Sequence, residues 1–95
     1  MWVTSQNSNS VTELRVSDGT ILTTFLVGQN PLGAAFDGLN IWVASVSDNT
    51  VVKLRASDGA NLGSFPANGT HPSNVAFDGA NIWVTNPESN TVSKF

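Results

Sequence analysis

The sequence has no cysteine, a single histidine and few charges of either sign. Without cysteine there is no disulfide to staple a small core and no thiolate to hold zinc. That absence does not fix a compartment, since cytosolic and secreted proteins both occur without cysteine. The four basic residues, Arg15, Lys53, Arg55 and Lys94, are spread along the chain. Nucleic-acid binding needs clustered Lys and Arg, so that class is not expected. A basic patch for a membrane surface is missing for the same reason. No apolar run approaches the length of a membrane span. The stretch MWVTSQNSNS has neither a basic start nor an apolar centre, and it does not read as a signal peptide.

What is present suits one small domain of 95 residues. A chain of this size buries only about 60–65% of its unfolded surface. Close packing and association with other copies are the aids that remain. The net charge is −3, and Ser, Thr, Asn and Gly carry most of the solvation. About 40% of residues are apolar, which is enough for a packed core.

The apolar residues recur. FDGLNIWVASVSDNTV begins at Phe36 and FDGANIWVTNPESNTV at Phe77, and MWVTSQNSNSV repeats the tail of the same phrase. Trp2, Trp42 and Trp83 stand 40 and 41 residues apart. Val11, Val51 and Val92 keep that register, as do Leu14, Leu54 and Phe95. The whole chain, residues 1–95, reads as one repeat region, with repeats near 11–50 and 51–91 and partial repeats at both ends. Four-stranded propeller blades and helical repeats share a period of about 40 residues. Local chemistry separates them. Each repeat holds four short runs rich in Val, Ile, Phe, Trp and Thr. The runs are Leu32 to Phe36, Ile41 to Ser45, Val51 to Ala56 and Ile21 to Val27. Their copies are Asn74 to Phe77, Ile82 to Asn86, Val11 to Val16 and Asn61 to Ala67. Asp-Gly pairs between the runs are hairpin signals. No segment carries a 3.6-residue apolar stripe for three turns, so the chain is predicted all-β. Ile41-Trp42-Val43 is apolar on both faces, which fits a sheet sandwiched between two neighbours.

These strings resemble a known family. NIWVTNPESNTVSKF and NIWVASVSDNTVVKL, each preceded by P-x-x-[AV]-A-F-D-G, are similar to the forty-residue β-propeller repeats called YVTN repeats. The resemblance covers essentially the whole chain. It extends more distantly to the streptogramin (virginiamycin B) lyases. It implies blades of four antiparallel strands, with P-x-x-[AV]-A-F innermost, then IWV, then VxKLR, and the L-x-x-F run outermost. It is compatible with a secreted or periplasmic setting. On that reading the chain holds about two and a third blades of a partial β-propeller. Closure then needs oligomerisation or further blades, since a ring takes about four to eight. Exposed edge strands and blade faces invite self-association. Several copies sharing a ring, a piece of a larger propeller, and an engineered or fragmentary repeat all remain open.

Few residues carry chemistry. Asp18, Asp37, Asp58 and Asp78 sit in Asp-Gly turns, where a carboxylate is expected to accept backbone N–H groups. His71 aligns with Asn30, so the repeat does not require it. The distantly similar lyases use His and Glu residues with magnesium, an arrangement one histidine does not fill. No serine lies in a G-x-S-x-G elbow. No phosphate loop is present, and no metal site or cofactor is expected. The three tryptophans are expected in the core, each burying about 150–250 Å².

The repeats also separate two sets of loops. The FDGxN and SDG turns are nearly identical between copies. SQNSNS, SVSDNT and NPESNT differ, as do VGQNPL and ANGTHPS. Divergence marks where the fold is indifferent, through neutral drift in solvated loops or because a ligand is read there. Gln29, Asn30, His71, Asn86 and Glu88 are therefore the ligand-binding candidates. The function expected is a non-catalytic scaffold or binding module, with a lyase- or hydrolase-like propeller enzyme as the alternative.

Overall fold

Residues that accept a left-handed backbone cut this chain into strands. Asn9, Asn49 and Asn90 have φ of 53°, 54° and 55°. Asparagine tolerates that region because its short amide bonds locally. Gly38 and Gly79, at φ 103° and 99°, turn the two FDG hairpins where a β-carbon would be strained. The computed structural model describes residues 2–5, 9–15, 17–28, 30–67 and 69–95.

Among the described residues the fold is all-β, with ten strands and no α-helix. β1 (Trp2–Ser5), β2 (Ser10–Leu14) and β3 (Ile21–Leu26) form the first sheet, in that order. β4 (Pro31–Phe36), β5 (Asn40–Ser45), β6 (Thr50–Arg55) and β7 (Asn61–Pro66) form the middle sheet. β8 (Val75–Phe77), β9 (Ile82–Asn86) and β10 (Thr91–Lys94) form the last. Every pairing is antiparallel between sequence neighbours. One 3-10 turn, Pro87–Ser89, joins β9 to β10. The same loop in the middle sheet, Val46 to Asn49, makes an ordinary turn. Pro87 favours the helical turn because its φ is already set.

The three sheets lie side by side without closing on themselves. The two-sided apolar character of β5 is resolved by this stacking. Ile41, Val43, Val52 and Leu54 of the middle sheet pack on Val11, Trp2 and Phe25 of the first. Trp42, Val51, Phe65 and Ala67, on the opposite face, pack on Ile82, Val84 and Phe95 of the last. Each fully buried aliphatic side chain contributes about 1.5–3 kcal/mol. The β1, β4 and β8 edges converge. Thr4 Oγ1 donates to the Leu32 carbonyl at 2.7 Å. A β-carbon on Gly33 would stand 2.4 Å from the Ser73 carbonyl oxygen, so glycine is what permits the approach of β4 to the segment before β8.

One of the three tryptophans departs from expectation. Trp42 is 9% exposed, and Trp2 is partly buried against Phe25. Trp83 is 38% exposed, because among the described residues no further sheet lies on the face that it shares with Val92.

Candidate functional site

The sheets have two ends with different chemistry. The turn end carries the Asp-Gly hairpins. There Asp37 Oδ1 accepts N–H bonds from Leu39 (3.0 Å) and Asn40 (2.7 Å). Asp78 Oδ1 repeats this with Ala80 (2.8 Å) and Asn81 (2.7 Å). The second carboxylate oxygen has a role that sequence reasoning missed. Asp37 Oδ2 accepts from the Trp42 indole at 2.8 Å, and Asp78 Oδ2 from Trp83 at 2.6 Å. The five-residue Asp-to-Trp spacing, present in both copies, was the available signal. A lysine completes each cluster, with Lys53 Nζ 5.0 Å from the Trp42 ring centroid and Lys94 Nζ 5.8 Å from that of Trp83.

These bonds shift the acids. The Trp83 indole N–H, then the backbone N–H groups of Asn81 and Ala80, bring Asp78 down from 3.8 to about 2. Burial pushes the Asp37 carboxyl up. The Trp42 indole, the Leu39 and Asn40 N–H groups and the Lys53 charge outweigh it and hold that carboxyl below its ordinary value. Asp18 and Asp58 are also lowered, foremost by the backbone N–H groups of Thr20 and Ala60. Arg15 and Arg55 pair with them at 3.2 and 3.0 Å. A depression of about 420 Å³ opens at this end between Phe36, Leu39, Arg55 and Ala56. Its walls are the repeated turns that the sequence reading assigned to folding alone.

The opposite end gathers the divergent loops. Asn9 Oδ1 accepts the Asn30 N–H at 3.1 Å, and Asn49 Oδ1 accepts the His71 N–H at 2.8 Å. In each case the left-handed asparagine of one sheet ties the loop that leads into the next. Asn30 and His71 are left-handed as well, with φ of 51° and 52°. The backbone frame repeats while the side chains on it change. The Asn30 side-chain amide bonds to Ser47 Oγ. At the matching positions His71 Nδ1 meets Glu88 Oε2 at 2.5 Å. Val46 N–H donates to the Asn30 carbonyl at 3.1 Å, but its counterpart Pro87 has no N–H to give. The second loop instead uses Thr70 N–H to Ser89 Oγ, at 3.1 Å.

The structure therefore brings His71 and Glu88 together and places Asn30 at the equivalent point one sheet earlier. Asn86 does not join them. Its side chain is fully buried, with Nδ2 on Ser93 Oγ at 3.1 Å and Oδ1 without a protein partner. Gly69 lies directly over it, since a β-carbon there would stand 2.5 Å from the Asn86 amide carbon. Its amide is a buried group, away from the His71–Glu88 contact. Gln29 lies outside the described residues. Among the described residues no three His, Asp or Glu side chains gather as metal ligands, and no helix is long and apolar enough to cross a membrane.

No protein-family model matches the sequence, and no curated protein does. Solved structures do resemble the fold. A chain of the Kuenenia stuttgartiensis hydrazine synthase superposes with a TM-score of 0.81 at 19% identity, over 90% of this chain and 25% of that one. A functionally unknown protein from Desulfotomaculum acetoxidans DSM 771 superposes with a TM-score of 0.67 at 20% identity, over 95% of this chain and 35% of that one. The chain thus spans a quarter and about a third of the two chains it resembles. Likeness at this identity is a likeness of fold.

Proposed function

We propose that the chain is a β-propeller segment serving as a non-catalytic scaffold and binding module, with its ligand surface at the divergent loop end. Supporting the propeller are the forty-residue period, the four-strand order of the middle sheet, and the convergence of β1, β4 and β8 on one side. The observation that carries the binding site is the pair of matched loop crossings. Their backbone frame is held constant by Asn9 and Asn49, while Asn30 and Ser47 in one become His71 and Glu88 in the other. A frame that repeats with side chains that do not is how a rigid scaffold displays a reading surface. The groups on offer are amides, hydroxyls and one His–Glu pair, which suits a polar ligand.

The test is a nitrogen–proton correlation titration with a panel of saccharides, short peptides and nucleotides. Shifts confined to residues 30–31, 46–49, 69–72 and 87–90, and lost in His71→Ala, support the reading. Shifts confined to the turn-end depression beside Leu39 and Arg55 overturn it.

The enzyme alternative rests on one observation, the contact of His71 Nδ1 with Glu88. A carboxylate that orients an imidazole is an arrangement used in general acid–base work. Magnesium-dependent shifts at His71 and Glu88 in the same titration favour that reading over the binding module.

A further inference from the structure

The middle sheet shows how one sheet receives the next. Its outgoing face presents Ala35, Trp42 and Val51, and the last sheet covers them with Ile82, Val84 and Phe95. The first sheet uses the same register outward, with Trp2 and Val11 against Ile41, Val43 and Leu54. The interface thus occurs twice, with a tryptophan and a valine on the outgoing side and β-branched or large apolar residues on the incoming side.

The last sheet carries a third outgoing face. Ala76, Trp83 and Val92 stand at the positions of Ala35, Trp42 and Val51, and all three are exposed, Val92 at 59%. The face is already arranged. Trp83 is held by Asp78 and overlain by Lys94, as Trp42 is by Asp37 and Lys53. A ring fixed before docking loses little freedom when covered. The complement is bare too. On the first sheet Val3 is 44% exposed at the register of Val43 and Val84, and Ile21 and Leu26 are exposed on the same sheet.

We infer that the Trp83 face is a docking surface for the β1–β3 sheet of a second copy of this chain, joined head to tail. The inference rests on the propeller reading but not on the loop-end ligand. In the docked pair Trp83 meets Val3 and Leu14 of the second copy, as Trp42 meets Val84 and Phe95 within one chain. Such an interface is heterologous, so it continues until rotation closes it. Two copies supply six sheets, within the range of about four to eight that close a propeller.

The experiment is light scattering across a dilution series of the wild-type chain, Val92→Glu, Val3→Glu and an equimolar mixture of the two variants. Both substitutions fall at exposed positions, and circular dichroism checks that each variant folds. The wild type is expected as a dimer or a larger closed assembly, and each variant as a monomer. The mixture is expected to regain a one-to-one dimer, because each variant keeps the face that the other has lost. A monomeric wild type, or a mixture that stays monomeric while both variants are folded, overturns the inference. The loop-end titration reads different residues, so failure of one proposal is separable from failure of the other.

Discussion

Trp42 and Trp83 are the same residue in two environments, and the difference between them measures what one neighbouring sheet contributes. Trp42 is 9% exposed and touches Phe65 and Phe95 at 5.9 and 6.0 Å between ring centroids. Trp42→Ala is expected to cost about 3–5 kcal/mol in a urea melt. Trp83→Ala should cost far less in the monomer, because its outer side faces solvent. Equal costs would mean that Trp83 is covered. The acids give a second test. An Asp lowered in the folded state favours folding above its unfolded value, and that contribution is lost as pH falls through the folded value. For Asp78 the window runs from about 3.8 down to about 2. The Trp83 indole proton should therefore shift with an apparent midpoint near 2. A midpoint near 3.8 would mean that the indole bond is absent in solution.

At the scale of the element, the glycine in β4 is informative. Gly33→Ala places a methyl group against the Ser73 carbonyl, a backbone atom that cannot swing aside. Overpacking of this kind costs about 1–3 kcal/mol, and Gly33→Ala should lower the urea midpoint accordingly. No measurable change would show that β4 and the segment before β8 are not in contact. The strands themselves were legible in the sequence. Asp-Gly pairs, the Trp register and the short β-branched runs placed the four strands of the middle sheet within a residue or two. The stacking was legible as well, from the two-sided apolar stretch of β5. The candidate site was read less well. His71 and Glu88 were singled out separately, and nothing in their seventeen-residue separation announces a contact. Asn86 looked like a surface loop residue because it closes a strand beside polar neighbours. Its burial depends on Gly69 approaching from another loop, a tertiary fact. The depression beside Leu39 is hidden for the opposite reason, since turns that repeat between copies carry no sign of a site in their sequence.

At the scale of the whole molecule, the sheets form a linear series in which the middle one is covered on both faces and the outer two on one each. Stability in such arrays is roughly a sum of each repeat and its nearest-neighbour contacts. Amide exchange in the isolated chain should therefore be slowest in β5 and β6 and faster in β2 and β9. Uniform protection across the three sheets would mean a single cooperative block. Comparable protection of all the sheets in an associated form, with fast outer sheets in the monomer, would map the docking face directly.

The asparagine ties across the loop end bear on register. Apolar packing between two sheets is non-directional, and it tolerates some sliding and rotation. A hydrogen bond prefers a nearly straight line and weakens steeply away from it. Asn9 to Asn30, and Asn49 to His71, each fasten one sheet to the loop entering the next through an amide oxygen of fixed reach. The same asparagine-to-backbone tie thus fixes the register of the loop end at both sheet junctions. Asn90 holds the same left-handed pose at the third station. Lengthening the arm at Asn49 by a single methylene would shift the loop that carries His71 relative to the sheet that holds it.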